Sequence, residues 1–145
     1  GKDGSREMRI ERHSGYSRKH KEIHTDQMIM EANTGIIENN KTQMRRGVLE
    51  YSILLILAGG DGYASSIIQK LKEVNIIVAE GTIYPLLIRL KKLELLTYRW
   101  EESTQGPPRK YYMITDLGRE QLAGLDAAWD ELAKGIETIR KVSKA

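Results

Sequence analysis

The residues best suited to chemistry lie between Thr82 and Leu93, in the run TIYPLLIRLKKL. Wound as a helix, this run turns Ile83, Leu86, Leu87, Leu90 and Leu93 to one side, at the i, i+3, i+4, i+7 spacing of a buried face. Thr82, Tyr84, Pro85, Ile88, Arg89 and Lys92 fall on the other side: two hydroxyls, then cations, with no acid among them. That set suits an anionic surface. A guanidinium carries a planar fork of donors that fits the O6 and N7 edge of guanine, a hydroxyl bonds to a base or a phosphate, and an ammonium neutralises phosphate. Pro85 falls in the first turn, where its missing N–H would be unpaired anyway. An ordinary amphipathic helix with a wet basic face would carry the same residues, so the flanking elements have to decide.

Elsewhere the chemistry is thin. His20 and His24 stand one helical turn apart in HKEIH, but no third metal ligand accompanies them and Glu22 is not where an H-E-x-x-H site would have it. No metal and no cofactor is expected. Neither a glycine-rich phosphate loop nor a nucleophile–base pair at a defined spacing occurs, and an enzyme is not expected.

A chain of 145 residues makes one domain, or a small domain with an extension. Without cysteine it has no disulfide framework or thiolate metal site, which suits the cytoplasm. The longest apolar run, Ile53 to Ala58, is far too short to span a membrane, and the first residues lack the pattern of a signal peptide. A net charge of +3 is modest, so its distribution matters more. Residues 1–40 carry 7 cations and 7 anions, residues 116–145 carry 5 and 6, and residues 41–115 carry 11 and 7. The excess positive charge therefore surrounds the helix described above, as phosphate neutralisation requires.

The elements that would position that helix follow in chain order. Residues 1–40 mix charges with Ser, Gly and His and lack an apolar face, so they read as a flexible extension, with a short helix or an arm that packs on a partner from Met28 to Ile37. Gln43 to Ala58 reads as one helix, buried on all sides over Ile53 to Leu57 and stopped by Gly59-Gly60-Asp61-Gly62. Tyr63 to Val74 is a second helix with Ile67, Ile68, Leu71 and Val74 inward, and the basic helix follows a brief connection. Two short helices in this order make a helix-turn-helix. Strand alternation at Leu96, Tyr98 and Trp100, a turn over Glu102 to Arg109 and a returning strand from Lys110 to Thr115 predict a hairpin, or wing, carrying Gln105, Arg109 and Lys110 at its far end. Asp116, as N-cap, opens a helix running to about Val142, roughly 40 Å at 1.5 Å per residue. Leu122, Leu125, Trp129, Leu132, Ile136 and Ile139 alternate in steps of three and four, a heptad seam suited to a second copy of the chain. Gly118, Gly124 and Gly135 weaken that helix unless packing compensates. The expected fold is mainly α with a small β-hairpin: a winged helix-turn-helix over residues 41–115 and a long C-terminal dimerisation helix over 116–145.

From about Met44 to Val142 the chain resembles the PadR family of bacterial transcriptional regulators, in its subfamily with a single terminal helix. The resemblance rests on RRGVLEYSILLIL with GYASSIIQKL, on EGTIYPLLIRLKKLELL and on RKYYMITDLGREQL. It implies a homodimer, usually a repressor, bound to a pseudo-palindromic operator in double-stranded DNA. Carried over by position, the recognition helix is Thr82 to Leu93 and the wing tip Ser103 to Lys110. Arg45 and Arg46 resemble basic residues flanking the DNA-facing surface, while Tyr63 and Ser65 open a helix whose backbone and hydroxyls can hold phosphate. Relatives that sense small molecules often do so with aromatic residues of the terminal helix. This makes Trp129 a candidate for binding a small aromatic effector, with a plain interface anchor as the other reading. Residues 1–40 fall outside the resemblance.

The resulting expectation is a dimeric repressor relieved by a small-molecule effector. Arg89 would read a guanine edge and Thr82 and Tyr84 bases or phosphate, while Lys92, Arg45, Arg109 and Lys110 neutralise the backbone. The alternative is a winged-helix protein–protein module without DNA binding, whose mark would be acids on the outward face of the basic helix.

Overall fold

The computed structural model describes residues 4–77 and 79–144, with side chains from residue 18 onward. Residues 1–3, part of the expected extension, lie outside the described residues. The chain divides into two units, Gly1–Met44 and Arg45–Ala145, taken separately below.

The first unit is helical. Helix α1 (Gly4–Arg46) runs through the whole described extension, not only through Met28 to Ile37. No proline interrupts it, and local contacts such as the 3.2 Å pair of Lys41 with Glu38 accompany it. Its Ile23, Met30 and Ile37 are exposed, in keeping with the missing apolar face.

In the second unit the helix expected over Gln43 to Ala58 is broken. α1 ends at Arg46, Gly47 and Val48 form a turn, and α2 (Leu49–Gly59) begins anew. Gly47 is a poor helix former, and the Ser52 hydroxyl donates to the Val48 carbonyl at 2.7 Å across the restart. Arg45 and Arg46 therefore end one helix rather than starting the next. Leu49, Ile53, Leu54 and Leu57 are buried, whereas Leu55 is exposed, so α2 is not enclosed on all sides.

β1 (Gly62–Tyr63) follows, then α3 (Ala64–Glu73), a 3-10 turn (Glu80–Thr82) and α4 (Ile83–Lys92). Tyr63 lies in a strand and precedes α3 rather than opening it. Both helices end in Schellman motifs. Asn75 and Ile76 bond back to Lys72 and Leu71, and Glu94 and Leu95 bond back to Lys91 and Leu90, with Asn75 and Glu94 at φ near +60°. The chain therefore turns away after Val74 and Leu93, which are exposed rather than inward-facing.

β2 (Leu96–Ser103) and β3 (Gly106–Ile114) form the wing, and β1 adds to β3, giving an antiparallel sheet of order β1-β3-β2. The wing tip is only Thr104 and Gln105, so Arg109 and Lys110 lie within β3 rather than in a turn. Pro107 and Pro108 suggest a turn in sequence. The structure tolerates them because β1 reaches only Tyr111 and Tyr112, leaving one edge of β3 unpaired there, and the register slips between Glu101 and Ser103. Ile53, Leu57, Ile67, Leu71, Ile83, Leu87, Leu90 and Leu96 close one core beneath these elements. The arrangement is a winged helix.

α5 (Asp116–Lys144) packs on α2 through its first half. Thr115, not Asp116, supplies the cap: its hydroxyl accepts from the Gly118 N–H at 2.9 Å and donates to the Glu94 carbonyl at 2.6 Å. The Thr115 N–H bonds to the Leu95 carbonyl at 3.1 Å. Further along, the Tyr51 hydroxyl donates to Asp126 at 2.5 Å, and that carboxylate, ahead of burial, pushes the phenol up to about 12. Leu122 is buried, while Leu125, Trp129, Leu132, Ile136 and Ile139 stand open to solvent.

The glycines of α5 differ in kind. A Cβ on Gly118 would overlap the Leu95 carbonyl oxygen and crowd the Ile114 side chain, whereas one on Gly124 would meet nothing. Gly118→Ala should lower stability by about 1–3 kcal/mol through overpacking against backbone. Gly124→Ala should raise it by about 0.5–1 kcal/mol. Urea unfolding midpoints of the two variants check this, and equal shifts of one sign would contradict the packing described.

Candidate nucleic-acid interface

Four cations of the middle segment, Lys91, Lys92, Arg109 and Lys110, line the surface between α4 and the wing. Tyr84, Ile88 and Lys91 recur at i, i+4 and i+7, so they form one stripe along the flank of α4 that faces the sheet. Across from them, strand alternation turns Tyr98 and Trp100 of β2 and Lys110 and Tyr112 of β3 to a single face, with Trp100 opposite Lys110 and Tyr98 opposite Tyr112. Two adjoining concavities result. One, of about 410 Å³, lies between the start of α3, Tyr84 and the wing, and is lined by Tyr63, Ser65, Trp100, Arg109 and Lys110. The other, of about 220 Å³, lies along α4 and is lined by Ile88, Lys91, Lys92 and Tyr98. Lys110 and Tyr112 border both. No acid lines either one.

The aromatic rings hold the cations in place. Lys110 Nζ stands 4.6 Å from the centre of the Tyr98 ring and 5.5 Å from that of Trp100, and Lys91 Nζ stands 5.7 Å from Tyr98. Contacts within about 6 Å favour the cation over the ring face, so the ammonium groups are gathered rather than splayed. Burial, then the neighbouring Tyr98 and Tyr84, push the Tyr112 phenol up. At the larger concavity a clamp joins the wing to α3. Arg109 donates to Ser65 Oγ at 2.7 Å and lies over the Tyr63 ring at 3.9 Å. The Tyr63 hydroxyl donates to Glu101, which also accepts from Arg99 at 2.9 Å. The Tyr63 and Arg99 contacts hold the Glu101 carboxyl below its ordinary range, and Glu101 in turn raises the Tyr63 phenol.

Of the expected site residues, Tyr63, Ser65, Tyr84, Lys92, Arg109 and Lys110 are brought together here. Thr82 stands exposed in the 3-10 turn before α4, Gln105 sits at the wing tip, and Arg45 and Arg46 close α1; none of these lines the concavities. Arg89 occupies the other flank of α4, paired with Glu50 of α2. The outward face of α4, free of acids in its own sequence, therefore receives one from elsewhere in the chain. Lys91, Tyr98 and Trp100 belong to the site and were not singled out by sequence. For Lys91 the i, i+4, i+7 relation to Tyr84 was the available signal. Trp100 is 61% exposed, and only the strand register reveals its partner Lys110.

A separate apolar pocket of about 230 Å³ lies between α2, Ile76 and α5, lined by Val48, Tyr51, Leu55 and Trp129. The Tyr51 and Trp129 ring centres are 6.5 Å apart. Among the described residues no His, Asp or Glu cluster could hold a metal ion, and no helix is long and apolar enough to cross a membrane.

Comparison with known proteins agrees with this architecture. The family model of the transcriptional regulator PadR-like family matches residues 53–124. A PadR-like transcription factor from Bacteroides fragilis is 57% identical, with a TM-score of 0.59 over 70% of this chain and 98% of that one. A PadR-like transcriptional regulator from Bacillus cereus is 39% identical, with a TM-score of 0.60 over 67% and 95%. A PadR family transcriptional regulator from Eggerthella lenta is 30% identical, with a TM-score of 0.64 over 74% and 95%.

The wing clamp is pH-sensitive at both ends. Because the folded Glu101 titrates low, its contribution is present above the ordinary carboxylate range and is lost as pH falls through its own depressed value. The Tyr63 phenol, raised, contributes below about pH 10 and loses that contribution as pH rises past it. Glu101→Gln should therefore let one tyrosine ionise at lower pH than in the parent protein. Ultraviolet titration of tyrosinate measures this, and superimposable curves would dissolve the clamp.

Proposed function

This chain belongs to the transcriptional regulator PadR-like family, and from that premise we propose that it is a homodimeric, sequence-specific DNA-binding repressor relieved by a small-molecule effector. The observation that carries the reading is the pair of acid-free concavities between α4 and the wing, where Lys91, Lys92, Arg109 and Lys110 gather among aromatic rings. Such a surface fits a duplex: α4 enters the major groove while the wing follows the adjoining backbone. Tyr84 and Arg89 read base edges, with Thr82 at the helix start on bases or phosphate. Lys91, Lys92, Arg109 and Lys110 neutralise phosphates, and Ser65 adds a neutral donor. Gln105 at the wing tip and Arg45 and Arg46 at the end of α1 serve as peripheral phosphate contacts.

Dimerisation assigns the remaining apolar surface. Leu125, Trp129, Leu132, Ile136 and Ile139 keep their heptad spacing and stand between about one-third and two-thirds exposed, as unpaired knobs of a helical seam would. Leu122, at 7% exposure, anchors the near end of that seam within its own protomer. Two copies of α4 related by the dimer axis would meet half-sites of a pseudo-palindromic operator about 34 Å apart, in the cytoplasm. The pocket beside Trp129 suits a planar aromatic effector.

Fluorescence anisotropy with a labelled duplex from the region upstream of the protein's own gene tests the reading, and no binding at any salt concentration would favour a protein–protein module. Lys110→Ala should weaken binding to all sequences alike and reduce the slope of log K against log salt by about one. An unchanged slope would remove Lys110 from the phosphate set. With Trp100 replaced by Phe, planar aromatic compounds should quench Trp129 emission in the dimer; no quenching across a broad panel would leave Trp129 a structural anchor.

A further inference from the structure

We infer that Glu50 is a positioning residue for sequence recognition: it holds Arg89 with one edge of the guanidinium turned to the DNA, so that Arg89 selects guanine. This rests on the DNA-binding reading above and names how one of its bases is chosen.

Arg89 Nη1 donates to both carboxylate oxygens of Glu50, a residue 39 positions away in sequence. Among the described residues no other hydrogen bond engages the group, so Nε and Nη2 remain as a parallel pair of donors. That edge has the spacing needed to span the O6 and N7 of one guanine. The Arg89 side chain is 59% exposed and that of Glu50 is 31% exposed, so the guanidinium is the more open of the two to an incoming ligand. A free arginine on a helix surface samples many rotamers and meets phosphates as readily as bases. A charge-assisted bond to Glu50 removes that freedom before DNA arrives. Glu50 itself stands in the first turn of α2, where the helix dipole favours an acid.

A carboxylate on a surface that approaches DNA repels phosphate, so Glu50 lowers affinity for duplex of any sequence while raising discrimination at one base pair. A purely structural ion pair would repel phosphate in the same way but would not raise discrimination at one base pair, and that selectivity distinguishes the two roles.

The experiment is selection of binding sites from a random duplex pool by the full-length protein, Glu50→Gln and Arg89→Lys, with anisotropy on the selected site and on unrelated duplex. Wild type should select a palindrome with one guanine per half-site that Arg89→Lys no longer prefers. Glu50→Gln should lose roughly tenfold in preference at that position alone while binding unrelated duplex as tightly as wild type or more tightly. Arg89→Lys keeps the charge and the ion pair but lacks the fork, so it reports the same preference if Glu50→Gln fails to fold. The inference is overturned if Glu50→Gln keeps every preference, if it weakens all sequences equally, or if Arg89→Lys retains the guanine. A wild-type protein that binds duplex but selects no sequence overturns it too, and one that binds no duplex overturns the functional reading beneath it. The two failures are thereby told apart.

Discussion

The backbone at Leu95 is the point to which the rest of this structure is referred. Its N–H closes the Schellman motif of α4 on Leu90, and its carbonyl accepts the N–H of Thr115, where the wing returns. The neighbouring Glu94 carbonyl accepts the Thr115 hydroxyl, which also caps α5 at Gly118. Three elements thus begin or end within one small volume, and Gly118 permits it because a side chain there would occupy the space of the Leu95 carbonyl. The angle at which α4 leaves the core, the root of the wing and the origin of α5 are set together. A shift of α5 cannot be absorbed locally, because close-packed backbone has no slack to give.

On that frame the electrostatics follow a simple division. Cations face the space between α4 and the wing, supported by the rings of Tyr98 and Trp100, and the acids of this region sit behind them. Glu101 is drawn to the other face of the sheet by Tyr63 and Arg99, and Glu50 is drawn to Arg89. In both cases a carboxylate near a basic surface is held by a specific donor rather than left to fold back on the lysines. Exposed ion pairs contribute little to stability, so their value lies in orientation. The Arg109 guanidinium, clamped between Ser65 and Tyr63, follows the same principle.

Consecutive residues of α2 tie its neighbours together. Glu50 reaches α4 through Arg89, and Tyr51 reaches α5 through Asp126 and packs near Trp129. The helix that lies deepest in the core therefore touches, at adjacent positions, both the basic helix and the apolar seam of α5. Its buried face of Leu49, Ile53 and Leu57 makes it a stiff member between them.

Much was legible in the amino-acid sequence, because it depends on local periodicity. The inward faces of α3 and α4, the change to strand alternation at Leu96, and the heptad steps of α5 each express a fixed backbone repeat, and a repeat is visible without neighbours. The confinement of the net positive excess to residues 41–115 was equally plain. What the tertiary structure alone decided involves partners distant in sequence or backbone states that a side chain does not announce. The break at Gly47, the two-residue strand at Tyr63 and the extension of β3 through two prolines depend on which edges are paired and which are open. The cap at Thr115 depends on a carbonyl twenty-one residues earlier. Above all, an outward helical face that carries no acid of its own acquired Glu50 from another helix, since a helix repeat specifies which way Arg89 points but not what it meets there.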